Sequence, residues 1–210
     1  MFTVTRWWLV RHAPVPGYEG RLYPHEDVDA DVSNQAAFDR LAERLPKEAV
    51  WVTSGIRRAE QTAAAVRAAG LAPAAHIAEP AFAEQSFGDW AGQSYDQLMA
   101  QSGETGAGLR EQFWTAPGEV RPPAGESFCD LISRVSGAFG TLTEAHRGKD
   151  IVAVAHGGSI RAMLCHVLEL HPNKGFGISI DNLSTTRVDH FARADGAESW
   201  RVAFVNLRPT

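Results

Sequence analysis

The chain has 210 residues, 44% of them hydrophobic and 21% charged, with a formal net charge of −5. That is room for one domain with a large buried core, and an ordinary composition for a water-soluble fold. The acidic balance excludes a general basic surface for nucleic acid or an anionic membrane, so an anionic ligand needs a locally basic pocket.

The opening segment, Met1 to Arg6, has no basic n-region, long apolar run or small-residue cleavage site. It reads as the start of a strand rather than a secretory signal, and a cytoplasmic location is expected. No apolar run approaches the ~18 residues of a membrane span. Trp7–Val10 predicts a buried strand, and Arg11-His12 follows it directly. Ser33 is placed to cap a helix carrying Phe38, Leu41 and Leu45 on one face, stopped by Pro46. Ala49–Thr53 predicts a second strand. Arg57 to Ala69 predicts an alanine-rich helix ending at Gly70. Ala74–Ile77 is a weaker strand pattern. Residues 79–126 are rich in Gly, Gln and Pro and carry only short helical pieces; long irregular excursions of this kind are usually lids or binding loops.

Phe128, Leu131, Ile132, Val135, Phe139 and Leu142 have helical spacing, as do Ile160, Met163, Leu164, Val167 and Leu168. Between these helices Ile151–Ala155 predicts a strand ending at His156. Thr185–Phe191 and Trp200–Val205 predict a hairpin around Asp195-Gly196. Cys129 and Cys165 are too few for a disulfide framework and read as reduced core residues. The alternation predicts an α/β three-layer sandwich: one domain over 1–210, a mainly parallel central sheet, and helices on both faces.

Four segments carry chemistry. They are Arg11-His12, Ser54-Gly55-Ile56-Arg57-Arg58-Ala59-Glu60-Gln61-Thr62-Ala63, Glu84-Gln85-Ser86-Phe87-Gly88-Asp89-Trp90, and His156-Gly157-Gly158-Ser159-Ile160-Arg161. Three lie where a strand ends, the rim on which open α/β sheets build their sites. Taken singly each is weak: an Arg-His pair is commonly a surface accident, a Gly-Gly after a strand a turn, a loop glutamate a solvated charge.

Taken together, and in this order, they resemble the histidine phosphatase superfamily, in its phosphoglycerate mutase-like branch. The turn Gly125-Glu126-Ser127 is similar to one in its small phosphatases, including α-ribazole phosphatase-like members. The resemblance implies a phosphoglycerate mutase-like fold and a small phosphorylated substrate, with inorganic phosphate as product. It assigns His12 as the nucleophile that becomes phosphohistidine, and Arg11, Arg58 and His156 as ligands of the phosphoryl group. Glu84 becomes the proton donor to the leaving oxygen. It implies no metal or other cofactor, since arginines and a second histidine take that part. The chemistry agrees with these roles. A neutral imidazole escapes the repulsion that an anionic nucleophile meets at a phosphomonoester, and a loose transition state is stabilised mainly by positioning and charge. Of the paired arginines, Arg58 precedes the alanine as the family pattern requires. Arg57 points about 100° away and is expected in solvent or against distal substrate charge. Arg161 is expected in a structural salt bridge, and Ser159 as a cap of its helix.

The chain departs from the family at three places. Ala13 stands where glycine is usual, tolerable if its φ stays negative. The hydroxyl and amide donors usual after the Arg-His pair are missing from Pro14 to Tyr23. Arg21 and Tyr23 are candidates to replace them or to read the substrate's other end. Gly55 replaces a usual proline. These departures, and the lack of an extra basic segment for a bisphosphate, favour a phosphatase over a phosphoglycerate mutase. Ala13 and the missing donors also admit a phosphate-binding module with little catalysis. His156, His166 and His171 match no compact metal-ligand spacing, and no Gly-x-Ser-x-Gly elbow supports a serine hydrolase. Trp90, Tyr95, Phe113 and Trp114 could stack on an aromatic leaving group, though a core role is expected for most of them. The identity of that leaving group and the oligomeric state are not written in the sequence.

Overall fold

Strand β1 (Phe2–Arg11) shows how the sequence builds its sheet. Successive side chains of a strand point to opposite faces. Trp7 and Leu9 enter one apolar core with Phe82, Phe139, Ile160 and Met163, while Val10 enters the other with Phe38, Leu41, Ala59 and Val66. A strand with both faces covered can be apolar throughout, which is why Trp7–Val10 reads as a continuous run.

The computed structural model describes residues 2–24, 27–100, 112 and 115–209, with the side chains of Tyr95 and Met99 left aside. After β1 come α1 (Gln35–Arg44), β2 (Val50–Thr53), α2 (Arg57–Ala68) and β3 (Ala75–Ala78). Next are α3 (Tyr95–Ala100), α4 (Phe128–Ala145), β4 (Asp150–Ala155) and α5 (Gly157–Val167). A one-turn helix, α6 (Pro172–Gly175), precedes β5 (Thr185–Arg193) and β6 (Glu198–Leu207). The sheet order is β3-β2-β4-β1-β5-β6. β3, β2, β4 and β1 are mutually parallel, whereas β5 runs antiparallel to β1 and β6 antiparallel to β5. Helices α4 and α5 cover one face and α1 and α2 the other. The expected α/β sandwich with a mainly parallel sheet is the fold observed. No helix among the described residues is long and apolar enough to cross a membrane.

Between β3 and α4 the described residues include three short 3₁₀ turns (Pro80–Phe82, Gly88–Trp90, Pro117–Glu119) and α3. The terminal strands pair as expected around Asp195-Gly196, with Gly196 at φ 86°.

Two local expectations are corrected. Asn34, not Ser33, caps α1: its side chain accepts from the Ala37 N–H at 3.2 Å, while the Ser33 hydroxyl is taken by Asp31 at 2.6 Å. Cys165 is buried but Cys129 only half-buried, because it lies beside the core stripe of α4. Both cysteines are free thiols.

Candidate active site

The register of β1 and β4 brings the two histidines together. Arg11 pairs with Ala155, so the residues after them emerge side by side from adjacent parallel strands. The His12 N–H donates to the Ala155 carbonyl at 3.0 Å. The two imidazole rings lie 5.1 Å apart at 57°. The third adjacent strand, β2, ends in Thr53-Ser54-Gly55 and turns into α2, whose second residue is Arg58. Gly55 has φ +75°, a conformation that proline's ring forbids, so this turn explains the glycine where proline is usual.

His12 is fully buried. Its Nδ1 lies 2.7 Å from the Ala13 carbonyl, which can only accept, so Nδ1 carries the proton and Nε2 the lone pair. Nε2 is buried without a partner. Burial, with the Arg58 and Arg11 charges beside it, lowers the His12 pKa to about 3 against the weaker opposing effect of the Ala13 hydrogen bond. His156 is also held well below the usual histidine range, by burial first and then by His12 and the neighbouring arginines. Both rings are therefore neutral near pH 7. His156 Nε2 meets the Ser54 hydroxyl at 2.8 Å.

Arg58 has the least ordinary environment in the fold. Its exposure is 0%, and all three guanidinium nitrogens lack a hydrogen-bond partner among the described residues. Burial lowers its pKa, opposed by the charges of Glu84, Tyr23 and Asp27. The ring of Tyr23 lies 5.3 Å from the guanidinium carbon, stacks on Tyr18, and meets His12 edge-on at 5.2 Å. Arg11 donates from Nη1 to the Ile180 carbonyl at 2.6 Å, while its buried Nε is unpartnered.

Glu84 reaches the same place from the segment after β3. Its Oε1 accepts from the Gly158 N–H at 2.9 Å, at the first turn of α5, and from the Gln85 N–H at 3.0 Å. A side chain at position 158 would forbid this: a Cβ there would lie 2.2 Å from Oε1. Glu84 and Arg11 line a cavity of about 530 Å³ with Tyr23, Arg21, Arg161 and Asn182. His12, Arg58, His156, Arg11 and Glu84 are thus gathered at one rim.

The remaining residues singled out in the sequence are placed as follows. Arg21 borders the cavity but donates to the Gly92 carbonyl at 3.0 Å, tying down the neighbouring loop. Arg57 is exposed and paired with Asp29 at 2.8 Å, away from the histidines. Arg161 donates from Nε to the Ile178 carbonyl at 2.8 Å and also borders the cavity. Ser159 lies inside the first turn of α5, where its hydroxyl accepts from the His156 N–H and donates to the His156 carbonyl. His166 packs on Phe139 and Trp200, and His171 accepts from the Asn173 N–H ahead of α6. Trp90 is half-buried beside Leu22, Phe87 and Phe176. The Tyr95 side chain, Phe113 and Trp114 lie outside the described residues.

Three supporting residues make contacts that the sequence does not reveal, and Asn182 lies outside every motif. The Thr62 hydroxyl accepts from the Ala13 N–H at 2.9 Å and donates to the Arg58 carbonyl at 2.7 Å, coupling two of the site's segments. Asn182 donates to the His12 carbonyl at 2.9 Å. Ser54 was visible in its motif, but its contact with His156 was not. Ala13 is fully buried and is not among the residues with positive φ, so a methyl group fits its turn.

The arrangement sets a neutral imidazole nitrogen, two guanidinium groups and a carboxyl group around one cavity. Comparison with known proteins gives the family of the chain. Phosphoserine phosphatase 1 of Hydrogenobacter thermophilus is 30% identical over 183 residues, covering 84% of this chain and 82% of that protein. The 2,3-bisphosphoglycerate-dependent phosphoglycerate mutase of Azorhizobium caulinodans is 32% identical over 126 residues, but the match spans only 59% of each chain. Among solved structures, a mycobacterial glucosyl-3-phosphoglycerate phosphatase superposes with a TM-score of 0.80 at 24% identity, covering 97% of this chain and 99% of that one, a likeness of fold. The family model of the histidine phosphatase superfamily (branch 1) matches residues 7–203, and the chain belongs to that superfamily.

Proposed function

We propose that the protein is a metal-independent phosphomonoester hydrolase acting through a phosphohistidine on a small phosphorylated metabolite. The observation that carries this reading is Arg58, a fully buried guanidinium with no hydrogen-bond partner on any nitrogen among the described residues. An unpaired buried cation costs several kcal/mol, a cost that an arriving anion would offset. A phosphoryl group offers oxygens matched to guanidinium forks, and Arg11 supplies a second fork with a free Nε.

In this reading the His12 Nε2 lone pair attacks phosphorus in line with the ester oxygen. The N–P bond forms as the P–O bond breaks, and the leaving oxygen takes a proton from Glu84. With Oε1 accepting twice from backbone, Oε2 is the oxygen that carries the acid proton in this reading. Water then attacks the phosphohistidine and gives its proton back to Glu84. The N–P bond breaks, releasing inorganic phosphate and restoring neutral His12. Arg11, Arg58 and His156 hold the equatorial oxygens. Because Tyr23 covers His12, its ring has to swing aside as the phosphoryl group enters. Tyr23 and Arg21 then border the leaving group.

The similarity to phosphoglycerate mutases favours one second reading, in which the phosphoryl group passes to another hydroxyl instead of water. One experiment separates the readings. Incubation with an aryl phosphate should give turnover and a base-stable, acid-labile phosphoryl adduct on His12 detected by mass spectrometry, both abolished by His12→Ala. Release of inorganic phosphate without phosphoglycerate isomerisation identifies the hydrolase. Phosphate binding without turnover, or hydrolysis by His12→Ala at the wild-type rate, overturns the proposal.

A further inference from the structure

The segment carrying Glu84 has little regular structure of its own to hold it. The short 3₁₀ turn Pro80–Phe82 ends just before it, and the next begins at Gly88. Main-chain carbonyls in such a segment need partners from elsewhere, and here they converge on one side chain. Arg134, on the solvent-facing flank of α4, donates from Nη1 to the Ala81 carbonyl at 2.7 Å and to the Ala83 carbonyl at 3.1 Å. Its Nη2 donates to the carbonyl of Glu84 itself at 3.0 Å. The remaining donors grip Glu126 in a two-point fork, Nε to Oε2 at 3.0 Å and Nη2 to Oε1 at 2.6 Å. Glu126 in turn holds the other side of Glu84: Oε1 accepts from the Ser86 N–H, its own N–H donates to the Ser86 carbonyl, and its carbonyl accepts from the Gln85 side chain, each at 2.9 Å.

The arginine–glutamate pair thus fixes the backbone on both sides of Glu84, whose carboxyl group points away to Gly158. All five guanidinium contacts are spent on Glu126 and this segment. Three of them go to the carbonyls of Ala81, Ala83 and Glu84, a fan that a lysine's compact ammonium cannot reproduce with the same geometry. The pair is not core filling. Arg134 and Glu126 are 29% and 18% exposed along the side chain and border a second, open cavity of about 850 Å³. We propose that Arg134, locked to Glu126, is a positioning residue that sets the Glu84 carboxyl against the leaving-group oxygen without touching substrate. This rests on the reading of Glu84 as the acid.

Leaving-group dependence tests both separately. A dinitrophenolate leaves without protonation, whereas a phenolate needs it. Glu84→Gln should cut kcat/KM, which reports the phosphorylation step alone, on phenyl phosphate by about 10²–10⁴-fold and spare that on dinitrophenyl phosphate. Arg134→Met and Glu126→Gln should show the same bias at about 10–10²-fold, the scale of an ångström's misplacement, with Arg134→Lys in between. Equal losses on both substrates, or no loss on either, would overturn the positioning role. If Glu84→Gln itself shows no bias, the acid assignment fails, and the proposal with it. Should Arg134→Met not fold, Arg134→Lys and Glu126→Gln carry the same test.

Discussion

Replacing Arg58 with methionine should make the ligand-free protein more stable while destroying its function. The guanidinium is fully buried and its nitrogens have no hydrogen-bond partner among the described residues. An unpaired ion in such a place carries a desolvation penalty of several kcal/mol, and replacing buried charge with apolar groups of similar volume often stabilises by ~1–4 kcal/mol. Against this stands the loss of the Tyr23 contact at 5.3 Å, worth ~0.5–2 kcal/mol as a cation–π interaction. The two ranges leave a net gain centred on about 1 kcal/mol, and a chain of this size should show it as a rise in Tm of roughly 2–4 °C per kcal/mol. The assay is urea and thermal unfolding in a low-salt buffer, with and without inorganic phosphate. Wild type should gain about 2.7 kcal/mol at a phosphate concentration a hundred times its Kd, and Arg58→Met nothing. A variant that is less stable without ligand, yet still stabilised by phosphate, would refute the idea that Arg58 is an anion receptor held at a cost.

Other changes probe the rest of the site. Gly158→Ala should lower kcat by about 10–10²-fold, because the new Cβ would lie 2.2 Å from Glu84 Oε1 and push the carboxyl aside; wild-type rates on phenyl phosphate would show that Glu84 needs no such placement. Ala13→Gly should leave kcat/KM unchanged and cost about 1–2 kcal/mol in urea unfolding, through a lost buried methyl and a looser unfolded chain. A gain in activity would mean that the methyl strains the turn. For pH, the folded protein keeps His12 neutral down to about 3 while the unfolded chain protonates it near 6.5. In that window the unfolded state binds the extra proton, so stability falls as pH drops, by up to about 1.4 kcal/mol per unit from this residue. His12→Asn should flatten the slope of unfolding free energy between pH 6 and 4 by that amount, and unchanged slopes would contradict the burial argument.

The parts of the site legible in the sequence are those whose chemistry resides in side chains at strand ends. His12, His156 and Arg58 each follow an apolar run that had to be a buried strand, and the order of the motifs narrowed their roles. Glu84 was legible only through the pattern around it, since nothing in its local sequence says that it folds back onto Gly158. What stayed hidden is contact with the main chain. Arg134 binds three carbonyls and Asn182 one, and a carbonyl carries no residue identity. Thr62 lay inside a recognised motif, yet its hydroxyl matters because the Ala13 N–H arrives there from another strand. The misplaced cap of α1 has a similar origin. Ser33 and Asn34 are both good caps, and the choice fell to Asn34 because Asp31 captures the serine hydroxyl.

The same burial that makes Arg58 costly also makes His12 useful. Removed from water and flanked by two guanidinium groups, the imidazole stays neutral, and its Nδ1 hydrogen bond to Ala13 leaves Nε2 as the one ring nitrogen with a lone pair. In water the same histidine would be partly protonated near neutral pH and the arginines screened. Tyr23 lies against both groups, edge-on to His12 at 5.2 Å and 5.3 Å from the Arg58 guanidinium carbon. Imidazole, guanidinium and aromatic ring therefore form one electrostatic unit. Opening it to solvent with a small residue at position 23 should weaken phosphate binding and raise the His12 pKa toward its ordinary value, two effects that NMR titration of the imidazole can follow in one sample.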